Sequence, residues 1–293
     1  MKLGVVFPQT EISADPGAVR AYAETADALG YDYLLAYDHV LGANPHRPGG
    51  WAGRPYDYQD LFHEIFVLFG YLAGITERLQ LVSGIVIAPQ RQTALLAKQA
   101  AAIDVLSGGR LILGLGIGWN EVEYEALGMN FHNRGRRVEE QVELMRALWT
   151  ERLVDFQGRY HRIPDAGLHP LPLQRPIPIW FGGGAERALR RMARIGDGWL
   201  ATGMDLADLR DKLARLRGFL SEAGREEAEF GVEMRFNLGA VARDGWAERV
   251  TTLRAMGATM VSCDTMNMGL AHPDEHIATI RAFYEEVSAG ADG

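Results

Sequence analysis

Residues 98–123 read KQAAAIDVLSGGRLILGLGIGWNEVE, a stretch that predicts a helix, a turn and a strand in succession. The alanine-rich helix ends at Ser107-Gly108-Gly109, and a short apolar strand runs from Leu111 to Leu115. Glycines at 114, 116 and 118 then let a ligand approach the backbone where the strand leads into the next helix. The spacing is Gly-x-Gly-x-Gly rather than Gly-x-Gly-x-x-Gly. It therefore allows a nucleotide-like cofactor but does not favour a Rossmann pyrophosphate turn.

The same alternation of short apolar runs and helix-period segments continues along the chain, which indicates parallel strands joined by crossover helices. Eight strand–helix pairs predict a (β/α)8 TIM barrel that forms one domain over residues 1–293, with its site at the C-terminal ends of the strands. The predicted strands are 3–7, 33–37, 79–87, 111–115, 177–181, 198–201, 231–241 and 259–264. The predicted helices are 16–29, 61–76, 93–106, 136–149, 185–195, 206–223, 246–256 and 274–287.

Two segments interrupt this alternation. Residues 41–60, rich in glycine, proline and aromatic residues, follow the second strand and predict a lid or substrate wall, with a surface excursion of no function as the alternative. Residues 153–176 predict an insertion before the fifth barrel strand, with a small hairpin about Gln157-Gly158.

Composition narrows the class of protein. The chain is 47% hydrophobic, enough for one large core, and its net charge of −8 argues against nucleic acid or an anionic membrane as the main partner. The single cysteine, Cys263, fits a reducing cytoplasm. No uninterrupted apolar run approaches 18 residues, and the apolar run at 3–7 is too short for a signal peptide. We therefore expect a cytoplasmic protein that acts on a small molecule.

The strand ends supply few titratable side chains, and Asp38-His39 is the clearest pair. A histidine there can position a carbonyl or move a proton. The alternative is an aspartate that caps the following turn beside a histidine that faces solvent. Too few His, Asp and Glu residues converge on the strand ends for a metal site, so none is predicted.

Glycine and aromatic clusters are the remaining candidates. Gly182-Gly183-Gly184 precedes a helix and predicts an anion site on backbone amides, or else a tight turn. In the third strand, Gly84 marks a bulge or close ligand approach, or simply packs against a neighbour. Three aromatic residues of the 41–60 loop, Trp51, Tyr56 and Tyr58, are expected to form a substrate wall. Phe62 and Phe66 are expected in the core. Glu121 and Glu123 are expected on the exposed first turn of a helix.

Several motifs together resemble the luciferase-like monooxygenase superfamily, specifically the branch that uses the deazaflavin coenzyme F420 rather than flavin mononucleotide. They span roughly residues 2–200 and comprise Tyr37-Asp38-His39, the turn from Gly114 to Glu123, Arg134-Gly135-Arg136-Arg137 through Trp149, Pro178 to Gly184, and Gly196-Asp197-Gly198-Trp199. The last third of the chain is similar mainly in its rhythm of strands and helices.

The resemblance implies specific roles for these residues. Asp38 and His39 would lie beside the deazaflavin ring and its hydride-accepting carbon, and a non-proline cis peptide at Gly84-Ile85 would support that ring. The cofactor tail and phosphate would be lined by Gly182 to Gly184 together with Gly116 and Gly118, and Trp119 would also bind the cofactor. Trp119 stands where sugar-6-phosphate dehydrogenases of the family carry a catalytic glutamate, so that activity is not expected.

The resemblance favours an oxidoreductase that transfers a hydride between coenzyme F420 and an organic substrate. One alternative is an FMN-dependent two-component monooxygenase, to which a partner reductase would supply reduced flavin. The other is a flavin-binding relative without catalytic activity. By the same resemblance, we expect a homodimer formed through the apolar helix at residues 65–72, whose sequence is hydrophobic nearly all round.

Overall fold

Eight parallel strands close into a barrel in the computed structural model, which describes residues 1–51 and 54–289. Ala52 and Gly53 of the predicted 41–60 loop, and the last four residues of the predicted 1–293 domain, lie outside the described residues. The strands are β1 (Lys2–Val6), β2 (Tyr33–Ala36), β3 (Gln80–Ser83), β4 (Val86–Ile87), β5 (Leu111–Gly116), β6 (Val154–Gln157), β7 (Arg162–Ala166), β8 (Ile179–Gly182), β9 (Gly198–Ala201), β10 (Gly231–Asn237) and β11 (Met260–Asp264).

Helices follow the barrel strands along the chain. They are α1 (Pro16–Leu29), α2 (Ile65–Ile75), α3 (Thr93–Leu106), α4 (Glu121–Ala126), α5 (Arg134–Thr150), α6 (Glu186–Ile195), α7 (Leu206–Glu222), α8 (Trp246–Ala255) and α9 (Pro273–Ala289). Across the described residues, none of these helices has the length and apolarity needed to cross a membrane.

Strand pairing confirms the predicted (β/α)8 barrel. The order β3-β2-β1-β11-β10-β9-β8-β5 is closed by a β3–β5 pairing, and β4 continues the third barrel strand beside β5. The antiparallel pair β6–β7 lies outside the barrel and is the hairpin predicted before the fifth barrel strand. Side chains alternate along each strand, so that Tyr33 and Leu35 of β2 pack in the barrel interior while Leu34 packs in the larger outer core.

Local sequence sets where these elements begin and end. Helix α1 begins after Asp15, whose side chain accepts a hydrogen bond from the Gly17 amide (3.1 Å), and ends at Gly30, which has φ 97°. The glycine turns the chain back into β2, so the residues after Ala36 emerge at the C-terminal mouth of the barrel. This is the position of Asp38 and His39.

Three predicted boundaries were wrong for identifiable reasons. The third strand is interrupted at Gly84 and Ile85, whose peptide bond is cis as the resemblance implied. The strand predicted to reach residue 241 ends at Asn237, because its side chain accepts from the Gly239 amide (3.0 Å) and starts a 3-10 turn. Helix α2 begins at Ile65 rather than residue 61, because Glu64 caps it.

Candidate functional site

A buried carboxylate holds His39 at the mouth of the barrel. Glu123 Oε1 lies 3.1 Å from His39 Nδ1 and accepts the backbone amides of Val40 (2.8 Å) and Leu41 (3.1 Å). Glu123 Oε2 accepts a hydrogen bond from the Gln90 side chain at 3.0 Å. Burial alone would raise the pKa of Glu123, but the hydrogen bonds from His39, Gln90 and the Leu41 amide lower it overall. The carboxylate is therefore ionised, and the hydrogen between it and His39 belongs to Nδ1.

The expectation that Glu123 lies on an exposed helical turn was wrong. Glu123 is fully buried, whereas Glu121 two residues earlier is exposed. The Asn120 side chain caps α4 by accepting from the amides of Val122 (3.1 Å) and Glu123 (3.3 Å). Successive helical residues are about 100° apart, so Glu121 and Glu123 point to nearly opposite sides of α4. Only Glu123 therefore turns toward the barrel mouth.

Aromatic rings surround the imidazole of His39 and leave only 10% of its side chain exposed. The ring centroids of Phe62, Tyr56 and Trp119 lie 4.9, 5.0 and 5.5 Å from that of His39, and Trp51 lies 5.6 Å from Trp119. The aromatic chamber is our name for His39, Trp51, Tyr56, Phe62 and Trp119. The structure thus brings three of the predicted binding residues, Trp51, Tyr56 and Trp119, together with His39.

Two aromatic residues lie elsewhere than expected. Tyr58, expected beside Tyr56 as substrate wall, is 62% exposed and is not among the rings packed against His39. Phe62 was expected in the core as part of a helix, but α2 begins only at Ile65. Phe62 therefore precedes the helix and packs against His39.

Asp38 faces a different set of partners from His39, as the alternation of side chains after a strand predicts. Its buried carboxylate contacts Arg91 Nη2 at 2.7 Å and accepts a hydrogen bond from the Ile87 amide at 3.1 Å. Glu64 binds the other side of the same guanidinium at 2.9 Å. Burial raises the pKa of Asp38, although Arg91 opposes this shift. Asp38 therefore anchors β4, and sequence reasoning did not identify its partner Arg91.

The predicted cofactor glycines surround Ile85. A Cβ atom added at Gly116 would lie 2.4 Å from Ile85 Cδ1, and one at Gly182 would lie 2.9 Å from Ile85 Cγ2. Side chains at either position would thus displace Ile85, whose apolar surface packs against the barrel interior. Gly118 has φ 64° and similarly adjoins Ile87. These glycines give the two isoleucines their positions.

The backbone after β8 is more open. Gly183 has φ 100°, and the nearest group to an added Cβ would be Ala188 at 3.6 Å. Among residues 1–51 and 54–289, no side chain caps α6, so the amides of its first turn are free of an N-cap side chain. The aliphatic part of Lys212 lies against Gly184, and its ammonium forms an ion pair with Asp208.

A second polar group inside the barrel was also missed. Arg235 of β10 donates a hydrogen bond to the Tyr37 hydroxyl, and its Nε lies 3.7 Å from Asp264 Oδ2. Burial raises the pKa of Asp264, against the effect of Arg235. Deeper in the barrel, Glu233 Oε1 accepts hydrogen bonds from Ser262 (2.5 Å) and Tyr33 (3.2 Å).

Known proteins are similar to this chain in sequence or in fold. The chain is 35% identical over 251 residues to an uncharacterised protein of Mycobacterium tuberculosis, covering 82% of each chain. It is 28% identical over 285 residues to an FMNH2-dependent dimethylsulfone monooxygenase of Pseudomonas putida, covering 94% of this chain and 73% of that one. The crystal structure of coenzyme F420-dependent tetrahydromethanopterin reductase from Methanopyrus kandleri superimposes with a TM-score of 0.77 at 16% identity, covering 98% of each chain.

The family match extends over nearly the whole sequence. The profile of the luciferase-like monooxygenases matches residues 1–291, which include every barrel strand and all the mouth residues described above. The chain is therefore an enzyme of the luciferase-like monooxygenase family.

Proposed function

We propose that this enzyme is a coenzyme F420-dependent oxidoreductase that passes a hydride between the deazaflavin and a small organic substrate. The observation that carries the proposal is His39, held by the buried Glu123 carboxylate inside the aromatic chamber. Such an imidazole suits a reaction in which a substrate oxygen gains or loses a proton as the hydride moves. The resemblance of Asp38-His39 and the Gly116–Glu123 turn to the F420 branch supports the choice of cofactor.

The residues at the mouth fit a flat ring with a phosphate-bearing tail. Ile85 offers an apolar surface between Gly116 and Gly182, and the backbone at Gly183 is open to an anion, with Lys212 nearby. Gly182 to Gly184 would hold the phosphate, and Ile85 would support the ring. When bound, the deazaflavin supplies a carbon that accepts or donates a hydride.

His39 can act through one nitrogen only. Its Nδ1 is engaged by Glu123, whereas Nε2 makes no hydrogen bond within residues 1–51 and 54–289 and is not sealed from solvent. We propose that Nε2 hydrogen-bonds to the reacting oxygen of the substrate or exchanges a proton with it. The surrounding rings keep bulk water away, which strengthens that hydrogen bond. Asp38 would act indirectly, by holding Arg91 and β4.

The second candidate is an FMN-dependent monooxygenase that receives reduced flavin from a partner reductase. The observation in its favour is the 28% identity to the dimethylsulfone monooxygenase, which extends over 94% of the chain. Both candidates place a ring and a phosphate in the same part of the mouth. They differ in the requirement for oxygen.

Titration of the purified protein with coenzyme F420 and, separately, with FMN tests the proposal. We expect the deazaflavin to bind more tightly and its reduced form to be used without oxygen uptake. Preference for FMN, with steady oxygen uptake from reduced FMN, would establish the second candidate instead. His39→Asn is the informative variant, because its side-chain amide keeps a donor for Glu123 and lacks Nε2. It should lower turnover about 100-fold while leaving cofactor affinity unchanged.

We also propose that residues 41–60 form a lid. Tyr56, which belongs to this segment, packs against His39, and Trp51 of the same segment packs against Trp119. The Trp51 indole donates a hydrogen bond to the Tyr56 carbonyl (2.8 Å). Asn120 holds the start of the same segment by donating to the Leu41 carbonyl (3.0 Å). The lid would exclude water after the substrate binds.

Finally, we propose a homodimer that forms through α2. Most apolar side chains of this helix are buried within the chain, but Val67 is 71% exposed. Val67 lies in an apolar groove of about 350 Å³ that is also lined by Pro16, Val19, Leu68 and Tyr71. A second copy of the helix would cover this groove.

The single buried cysteine remains our reason to expect a cytoplasmic location.

A further inference from the structure

Arg235 places a positive charge inside the barrel. On β10 the side chains of Val232, Met234 and Phe236 pack in the outer core. The alternate residues Glu233 and Arg235 therefore face inward. The guanidinium lies 5.1 Å from the ring centroid of Tyr37, and 22% of its side chain is exposed. An arginine in this position is reached from the mouth of the barrel and not from the outer surface.

Much of this guanidinium has no hydrogen-bond partner. Nη1 donates to the Tyr37 hydroxyl, but the 3.7 Å between Nε and Asp264 Oδ2 is too long for a hydrogen bond. Within the described ranges Nη2 has no partner either, and neither nitrogen is among the sealed, unsatisfied polar atoms. Two sets of N–H groups are thus accessible from the mouth. An accessible and unsatisfied donor edge is suited to an acceptor on a ligand.

The arginine and the aromatic chamber border the same space. Phe62 packs against His39 and also against the barrel-interior cluster that contains Tyr37. Burial raises the pKa of Tyr56 to about 12, and the charge of Asp264 adds to that shift. A molecule that rests among the rings beside His39 would therefore lie next to the cluster that contains Tyr37, to which Arg235 donates its hydrogen bond.

The charges of Arg235 and Asp264 determine which ligand group can accept a hydrogen bond from the arginine. Arg235 and Asp264 carry opposite charges, so the pair is neutral overall. A carboxylate or phosphate that approached Arg235 would be repelled by Asp264 and would lose hydration in a partly buried site. An uncharged oxygen meets no such repulsion. Hydrogen bonds from a charged donor to a neutral acceptor are stronger than those between neutral groups.

We propose that Arg235, Tyr37 and Asp264 form a substrate subsite that receives an uncharged carbonyl oxygen on an aromatic or otherwise apolar molecule. The inference rests on the proposed function, because it names the substrate class of the same site. The rings of the chamber contact the apolar body of the substrate, and Nε and Nη2 of Arg235 donate to its carbonyl oxygen. Asp264 keeps the guanidinium charge balanced and disfavours anionic substrates.

Binding of three matched probes to the purified full chain without added cofactor tests this subsite. Acetophenone presents a carbonyl oxygen, ethylbenzene presents the same ring without an acceptor, and benzoate presents an anion. We expect calorimetry to show acetophenone binding at least about 10-fold more tightly than ethylbenzene, and benzoate binding most weakly. No binding of acetophenone at its solubility limit, or tighter binding of benzoate to the wild type, would overturn the proposal.

Variants assign the effect to the arginine. Arg235→Met should reduce the preference for acetophenone over ethylbenzene to about one. Arg249→Met is the control, because Arg249 packs 5.7 Å from the Phe236 ring, on the outer side of the same strand. Arg235→Lys, which keeps the charge but not the planar donor edge, is used if the methionine variant does not fold, and it should lower the preference. An unchanged preference in a folded Arg235 variant refutes the subsite.

Asp264→Asn tests the charge argument. Loss of the carboxylate leaves Arg235 uncompensated, so benzoate should bind about 10-fold more tightly than to the wild type. Unchanged benzoate affinity would show that Asp264 does not govern selection. Because these measurements need no cofactor, failure of the F420 proposal would appear separately, in the cofactor titrations.

Discussion

Replacing Glu123 with glutamine tests whether an ionised carboxylate fixes His39. The amide is nearly isosteric, and its oxygen can still accept the three hydrogen bonds that Oε1 now receives from His39, Val40 and Leu41. Gln90 can turn its own amide oxygen toward the new NH2 group. The variant should therefore fold, and the change that remains is the loss of negative charge.

The expected loss of stability in Glu123→Gln follows from the number of hydrogen bonds that the carboxylate accepts. A hydrogen bond to a charged group contributes about 1 kcal/mol more than one to a neutral group, so three such bonds predict a loss of at most about 3 kcal/mol in the free energy of unfolding. The amide no longer bears the cost of burying a charge, which offsets part of this loss. The contact to His39 carries about one third of this. Weakening it by about 1 kcal/mol allows the other imidazole tautomer, so turnover should fall about fivefold.

Three measurements separate positioning from simple destabilisation. Urea unfolding gives the stability change, steady-state assays give kcat, and nitrogen NMR of the imidazole reports whether the hydrogen resides on Nδ1. Glu121→Gln is the control, since Glu121 lies in the same helix but is exposed. Wild-type turnover together with a wild-type imidazole spectrum in Glu123→Gln would refute the positioning role.

Three further predictions concern other parts of the molecule. Burial raises the pKa of Glu233 to about 7, whereas an unfolded glutamate titrates near 4.3. The folded protein retains this proton to higher pH, so stability should fall by about 3 kcal/mol between pH 4.5 and 7, and Glu233→Gln should abolish that slope in urea titrations. Gly183→Ala should weaken cofactor binding about 10-fold. Gly224→Ala is the control, because Gly224 is a similarly left-handed glycine (φ 67°), and this change should lower stability alone. If both variants bind the cofactor equally well, the phosphate lies elsewhere. The mass measured by light scattering should fall from twice 32.4 kDa to 32.4 kDa in Val67→Asp. Leu153→Asp, at another exposed apolar residue, should leave the mass unchanged, and a monomeric wild type would contradict the dimer.

The barrel itself was predictable because its pattern is local. Each strand and each amphipathic helix is encoded within a few consecutive residues, and eight repetitions of that pattern leave few alternative topologies. The position of Asp38 and His39 was predictable for a related reason, since the C-terminal end of a strand in such a barrel lies at its mouth. The approximate place of a residue in this fold follows from its position in the strand–helix alternation.

Side-chain partners were not predictable in the same way. His39 and Glu123 are 84 residues apart, and nothing in either local sequence indicates that they meet. Helix geometry offered one signal, because Glu121 and Glu123 are two positions apart and point to nearly opposite sides of the six-residue helix α4. If one side of that helix is buried, one of the two glutamates must be buried with it. For Arg235, the signal was the alternation of polar Glu233, Arg235 and Asn237 with apolar residues, which in a closed barrel directs polar side chains inward.

These partners explain how one mouth can contain several buried charges. Asp38 is compensated by Arg91, Asp264 faces Arg235, and Glu123 is stabilised by four hydrogen-bond donors. Each carboxylate is thus tied to a partner far from it in the chain, and a change at one partner leaves an uncompensated charge in a region of low dielectric. His39 Nε2 differs, because it is bound to none of these groups. The compensation that stabilises the three carboxylates therefore leaves Nε2 available for the proton exchange with the substrate that we propose.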